Sequence, residues 1–146
     1  MLNCTVNTLT NEANNYISRI IVKSAFNLFS ELLLFYPNRV FVFIGRDMEY
    51  FFDISQYLFK KNNKLKNRFR LINVSRLNCN TVHIKKYCTS HIFSLKKNVV
   101  LVDTGFNGNI ISTIQALNTT NIKISGQLLF SKNIAYPSSF FSMEPL

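Results

Sequence analysis

The sequence predicts an α/β fold with three layers, α/β/α, in which helices cover both faces of a mostly parallel sheet of about four to five strands. β-prone runs alternate along the chain with segments of helical spacing. Two of these runs, 39–44 and 99–102, are apolar apart from Arg39, which is typical of strands buried on both faces. The chain has 146 residues, of which 47% are hydrophobic, so we expect a single domain over 1–146.

The elements of the first part follow from spacing and from breaker residues. Residues 10–35 place apolar side chains at helical intervals, with Thr10 as a candidate N-cap and Pro37 as the stop. A strand over 39–44 and a helix over 48–59 come next. The positions expected to face the core are Ile17, Ile20, Ile21, Ala25, Leu28, Phe29, Leu32 and Phe35 in the first helix, and Tyr50, Phe51, Ile54, Tyr57 and Leu58 in the second.

The later elements are a basic link over 60–67, strands over 69–74, 99–102 and 122–130, and a helix over 109–117. Residues 77–97 contain few apolar positions, so they are predicted to form a long loop with at most a short element. Gly126 is expected to interrupt the last strand. The tail from residue 132 onward is predicted to be irregular, since prolines lie among its serines and phenylalanines. Strands that alternate with helices imply parallel pairing and right-handed crossovers.

Positive charge is concentrated in the middle of the chain. The net charge is +10, and residues 60–97 contain many lysines and arginines but no aspartate or glutamate. Such a region attracts phosphate-bearing partners, namely nucleic acid, nucleotides or an anionic membrane surface. The simplest alternative is a solvated basic surface without a partner.

The cysteines and apolar runs indicate a cytoplasmic protein without a membrane partner. Three cysteines without a CxxC pair favour a reducing compartment over a disulfide framework. No apolar run approaches the roughly 20 residues that span a bilayer. Cys79, His83, Cys88 and His91 have spacings compatible with zinc. Because no glycine-rich knuckle accompanies them, we expect no resident metal ion.

The most informative segment is 99–110, where an aliphatic run ends in Asp103 and two glycines before helical spacing resumes. Gly105 and Gly108 allow backbone conformations closed to other residues, and the amides at the start of the next helix favour an anion. The simplest alternative is a tight turn without a ligand. Asp103 is expected at the carboxyl end of a strand, where open α/β sheets bind ligands.

This order of elements resembles the core of the type I phosphoribosyltransferases over residues 10–131. In that family a short loop after the first core strand binds pyrophosphate, a long flexible loop closes over the site, and an acidic loop after the third strand binds the ribose 5-phosphate. The resemblance places these loops at 45–47, 77–97 and 103–109. Where the family has two adjacent acids, this chain has Asp103 followed by Thr104.

The resemblance implies a phosphorylated ribose or nucleotide ligand, and transfer of a phosphoribosyl group from phosphoribosyl diphosphate with Mg²⁺ as cofactor. The expected catalytic residues are Arg46, which would neutralise the leaving pyrophosphate, and Asp103, which would bind the sugar near its developing positive charge. The expected substrate-binding residues are Gly45, Asp47, Thr104, Gly105, Asn107, Gly108, Asn109, Lys85 and Lys86.

Three other functions stay open. Asp103-Thr104-Gly105 is also the catalytic triplet of aspartic proteases, although such a domain needs strands on both sides of the triplet. A haloacid-dehalogenase-like phosphatase needs an Asp-x-Asp pair, which the chain lacks. The competitor without catalysis is a basic nucleic-acid-binding module, whose lysines over 60–97 would follow a phosphate backbone while Phe69, Tyr87 and Phe93 stack on bases.

Overall fold

A five-stranded sheet forms the centre of the protein. The computed structural model describes residues 2–74, 82–104, 108–129 and 141–143. The strands are β1 (Val40–Ile44), β2 (Phe69–Ile72), β3 (Val99–Asp103), β4 (Ile124–Leu128) and β5 (Phe141–Met143), in the spatial order β2-β1-β3-β4-β5. The first four strands are parallel and β5 is antiparallel to β4, which confirms the predicted mostly parallel sheet.

Helices cover both faces of this sheet. They are α1 (Leu2–Phe35), α2 (Glu49–Leu58), α3 (Asn63–Lys66), α4 (Val82–His91) and α5 (Asn109–Leu117). One core cluster joins α1 and α2 to Phe41, Phe43 and Val102 of the sheet. The other joins α4 and α5 to Val42 and Leu101. Successive strand residues alternate between the two clusters because side chains on a pleated strand point to opposite faces, so the α/β/α layering is as predicted.

The chain reverses its direction of travel across the sheet after β2. From β1 it moves outward to β2, and the next crossover carries it past β1 to β3 and on to β4. Right-handed crossovers in opposite directions require helices on opposite faces, which accounts for α2 and α4 lying in different layers. The strand order therefore has its switch point between β1 and β3.

Several predicted details of the helices on the first face are wrong. Helix α1 begins at Leu2, so Thr10 lies inside it and is not an N-cap. Only the middle of the predicted apolar stripe, from Ala25 to Leu32, is buried, whereas Ile17 and Ile20 before it and Phe35 after it are exposed. In α2, Phe51, Ile54 and Leu58 pack against the core as predicted, but Tyr50 and Tyr57 are exposed.

The loop predicted over 77–97 is largely helical. Residues 82–91 form α4 and a 3-10 turn, Phe93–Leu95, follows it, while 75–81 lie outside the described residues. Ile84, Cys88 and Ile92 recur every four residues and are buried, so they hold the helix on the sheet.

Two predictions about the last strands are also corrected. Gly126 does not interrupt β4, since it pairs with Leu101 on one side and Met143 on the other. The tail predicted to be irregular contains strand β5. Among the described residues, no helix has the length and hydropathy that a membrane crossing requires.

Candidate functional site

Two loops meet at the carboxyl edge of the sheet, between β1 and β3. These strands pair directly, with Val40 opposite Val99 and Phe43 opposite Val102. The hydroxyl of Thr104, just after β3, donates a hydrogen bond to Asp47 Oδ2, just after β1, over 3.3 Å. This is the switch point of the strand order, where open α/β sheets form a crevice for ligands. We call these residues, Gly45–Asp47, Asp103, Thr104, Gly108 and Asn109, the switch crevice.

Gly45 makes the turn that leaves β1. Its backbone has φ 77° and ψ 179°, a combination that side chains other than that of glycine strongly disfavour. Its amide donates to the carbonyl of Ile72 at the end of β2, over 2.9 Å. The chain then enters a 3-10 turn that buries Met48 and leaves Arg46 and Asp47 exposed. A cation and a carboxylate are thereby presented to solvent at the switch point.

Asp103 is the last residue of β3 and is only 7% exposed. Because Val102 packs in the α1–α2 layer, the pleat directs the Asp103 side chain towards the α4–α5 layer. Its carbonyl accepts a hydrogen bond from the amide of Leu129 over 3.0 Å, which fixes the end of the strand against the segment after β4. The backbone of Asp103 is thus fixed at the end of β3 and its carboxylate is buried, whereas the side chain of Asp47 is exposed.

Gly108 begins helix α5 in the left-handed region, with φ 65° and ψ 12°. A glycine has no side chain with which to cap the helix. The first intrahelical hydrogen bond runs from the amide of Ser112 to the carbonyl of Gly108, over 2.9 Å. The amides of Asn109 and the two following residues therefore have no intrahelical acceptor, and the helix dipole favours an anion beside them. Gly105 and Asn107 lie outside the described residues.

The two predicted site lysines lie on α4 and not on a loop. Lys85 and Lys86 are exposed. The next residue, Tyr87, accepts a hydrogen bond through its hydroxyl from the amide of Asn73, over 3.2 Å, so this part of α4 lies near the carboxyl end of β2. Within the described part of the chain, neither lysine contacts Asp47 or Thr104.

His91 and the buried Cys88 of α4 are accounted for by packing. His91 stacks on Tyr87, with ring centroids 4.2 Å apart, and its Nδ1 lies 3.0 Å from the carbonyl oxygen of Tyr87. Cys88 is buried in the core. Among the described residues, no three His, Cys, Asp or Glu side chains group as metal ligands would; Cys79 lies outside them.

Asp47 and Thr104 belong to the same predicted site, whereas the hydrogen bond between them was not predicted. Nothing local to either segment encodes that contact, because 57 positions separate the two residues and only the sheet order brings them together. No family model matches this chain, and no curated protein or solved structure matches it closely enough to indicate a relationship.

Proposed function

We propose that the switch crevice binds a phosphorylated ribose compound, and that the reaction it supports best is transfer of a phosphoribosyl group from phosphoribosyl diphosphate. The observation that carries this proposal is the hydrogen bond between Thr104 and Asp47. The bond joins the two loops that in the type I phosphoribosyltransferases would bind pyrophosphate and ribose 5-phosphate. A site for both ends of the ligand requires those loops to be neighbours.

The groups at the crevice suit the parts of such a ligand. The amides at the start of α5, from Asn109 onward, suit the 5-phosphate, since they combine several donors with the positive end of the helix dipole. Arg46 is exposed and suits the pyrophosphate. The carboxylate of Asp103 would accept hydrogen bonds from the ribose hydroxyls and stabilise positive charge that develops on the sugar.

Asp47 supplies a second carboxylate where the resembled family has two adjacent acids. Thr104 occupies the position of the second acid, and its hydroxyl holds Asp47. Mg²⁺ in such sites is bound by one or two carboxylates together with substrate phosphates and water. The carboxylates of Asp47 and Asp103, just after β1 and at the end of β3, therefore suit a metal ion that would arrive with the diphosphate and neutralise the leaving group.

The surroundings of β3 favour this function over an aspartic protease. The triplet that begins at Asp103 would need strands on both sides of it, whereas α4 precedes β3 and α5 follows it. A phosphatase of the haloacid dehalogenase type would need a second aspartate two residues after the nucleophile, which the chain lacks.

Titration calorimetry with phosphoribosyl diphosphate and Mg²⁺ tests the proposal. We expect saturable binding by the unmodified protein and a loss of at least about tenfold in Asp103→Asn, the size expected for one hydrogen bond to a charged group. Asp53→Asn is the matched control, because Asp53 is an exposed acid of α2 outside the crevice. Absence of binding, or equal losses in the two variants, would contradict the proposal. Release of pyrophosphate in the presence of nucleobases separates transfer from binding alone.

Nucleic-acid binding through residues 60–97 is the second candidate. Phe69 and Phe93 are buried, so neither is available to stack on a base, and Tyr87 is half-buried with His91 stacked on its ring. What favours this candidate is the exposure of its lysines, among them Lys60, Lys61, Lys64, Lys96 and Lys97.

A further inference from the structure

The loops that lead into the parallel strands carry most of the positive charge. Because β1–β4 are parallel, the segments that enter them lie at one edge of the sheet, opposite the switch crevice. These segments, 36–39, 59–68, 96–98 and 118–123, contain no aspartate or glutamate. We call them the amino edge. Their cations are Arg39, Lys60, Lys61, Lys64, Lys66, Arg68, Lys96, Lys97 and Lys123.

Hydrogen bonds hold these four segments side by side. The amide of Phe41 donates to the carbonyl of Arg68 over 2.7 Å, and that of Val40 donates to the carbonyl of Asn98 over 3.0 Å. The side-chain oxygen of Asn98 accepts from the amide of Lys123 over 3.0 Å. The segments therefore follow the strand order, and at about 4.8 Å per strand they form a row about 14 Å long.

The two arginines of the edge are bound to the protein itself. The guanidinium of Arg68 donates to the carbonyls of Arg39 and Tyr36, over 3.0 and 2.6 Å, and Arg39 donates to the hydroxyl of Ser125. Most of the lysines are exposed, namely Lys60, Lys61, Lys64, Lys96, Lys97 and Lys123. The arginines thus stabilise the edge, and the lysines leave it with a row of charge directed to solvent.

Exposed aromatic rings accompany the lysines. Tyr57, in the last turn of α2, is 69% exposed, and the ammonium of Lys60 lies 4.4 Å from its ring centroid. Phe35, the last residue of α1, is 68% exposed. Each helix is followed by a segment of the amino edge, so both rings lie at its border. Aromatic rings beside a cationic row provide stacking surfaces for unpaired bases.

We propose that the amino edge binds single-stranded nucleic acid, with the lysines on the phosphates and Tyr57 stacked on a base. An acid-free row of cations is complementary to a polyanion, and exposed aromatic rings favour a strand whose bases are unpaired. This surface is separate from the switch crevice and does not rest on the function proposed for it.

Fluorescence anisotropy with a labelled, unstructured oligonucleotide over a series of salt concentrations tests this proposal. We expect Lys60→Gln/Lys61→Gln to lower the slope of log affinity against log salt by about 1.4, which is the loss of two phosphate contacts on a single strand. The matched control is Lys85→Gln/Lys86→Gln, an adjacent exposed pair on α4 whose removal leaves the slope unchanged. Tyr57→Ala should weaken binding about tenfold at every salt concentration.

Three results would overturn the proposal: no binding, equal effects of the two lysine pairs, or tighter binding to duplex DNA or to anionic lipid vesicles than to the single strand. Asp103→Asn should bind the oligonucleotide as the unmodified protein does, because Asp103 lies at the opposite edge of the sheet. The oligonucleotide test therefore does not depend on whether the switch crevice binds a ribose phosphate.

Discussion

At the scale of single residues, Gly45 shows how the backbone positions the crevice. A Cβ atom built at this residue would lie 3.6 Å from the carbonyl oxygen of Val74, which is an ordinary contact. The cost of Gly45→Ala is therefore backbone strain at φ 77° and not a clash. We predict a loss of about 1–3 kcal/mol in the free energy of unfolding, measured by urea denaturation.

Arg46→Ala is the control for this substitution. Arg46 is adjacent and exposed, so its replacement should change stability by less than about 0.5 kcal/mol. A Gly45→Ala protein as stable as the control would show that the turn does not require glycine.

Glu31 gives the protein a specific dependence on pH. Partial burial on α1 raises the pKa of this carboxyl above its ordinary value. Between the ordinary and the raised pKa, the folded state binds more protons than the unfolded state, so this residue makes stability fall as the pH rises through that window. Above the raised pKa the loss is complete and constant.

Glu31→Gln should remove this effect. We predict that the variant unfolds at a higher urea concentration than the unmodified protein near pH 7, and that the difference disappears as the pH falls below the ordinary glutamate pKa of about 4.3. A difference that is independent of pH would contradict the assignment to the charge of Glu31.

At the scale of elements, α1 is longer than the sheet it covers. Its 34 residues extend about 51 Å, whereas the five residues of β1 or β3 extend about 17 Å. The surplus length accounts for apolar residues that reach beyond the core, because Ile20 is 48% exposed whereas Leu28 is fully buried.

Alanine substitutions at Leu28 and Ile20 compare the contributions of the two halves of α1 to stability. We predict that Leu28→Ala lowers the free energy of unfolding by about 3 kcal/mol, since it leaves a cavity in the core. Ile20→Ala should lower it by less than about 0.5 kcal/mol. Equal losses in urea denaturation would indicate that both halves of the helix are packed.

The elements that sequence patterns predicted are those with strong local signals. The apolar run before Asp103 and the helical spacing after Gly108 specify β3 and α5 without help from the rest of the chain. Helix α4 was not predicted because few apolar residues lie among its polar and charged ones, and its buried stripe is completed by Cys88. Strand β5 has only three residues, and its pairing with β4 is a tertiary contact without a local pattern.

The candidate site divides in the same way. Asp103, at the end of β3, and Gly45, just after β1, were predicted to lie at the carboxyl edge because each follows an apolar run. Parallel pairing of the two strands brings them to the same edge. The bond between Thr104 and Asp47 depends on which strands are neighbours. The placement of Lys85 and Lys86 on a helix depends on the packing of Ile84 and Cys88 beneath them, which spacing alone did not reveal.

At the scale of the whole molecule, charge is distributed between the two edges of the sheet. The carboxyl edge holds Asp47 and Asp103 beside Arg46, whereas the amino edge holds lysines without acids. A small anionic ligand could therefore bind at the carboxyl edge or at the amino edge. Small phosphates would bind at the carboxyl edge only if the shape and amides of the crevice outweigh the stronger positive potential of the other edge.

Backbone amide shifts in a titration with phosphoribosyl diphosphate and Mg²⁺ test the central claim most directly, because they report where on the protein the ligand binds. We predict saturable shifts at Gly45, Asp47, Thr104 and Gly108, with those of Lys61, Lys97 and Lys123 unchanged. Shifts confined to the amino edge, or their absence at the crevice under saturating ligand, would contradict the assignment of the switch crevice as a ribose-phosphate site.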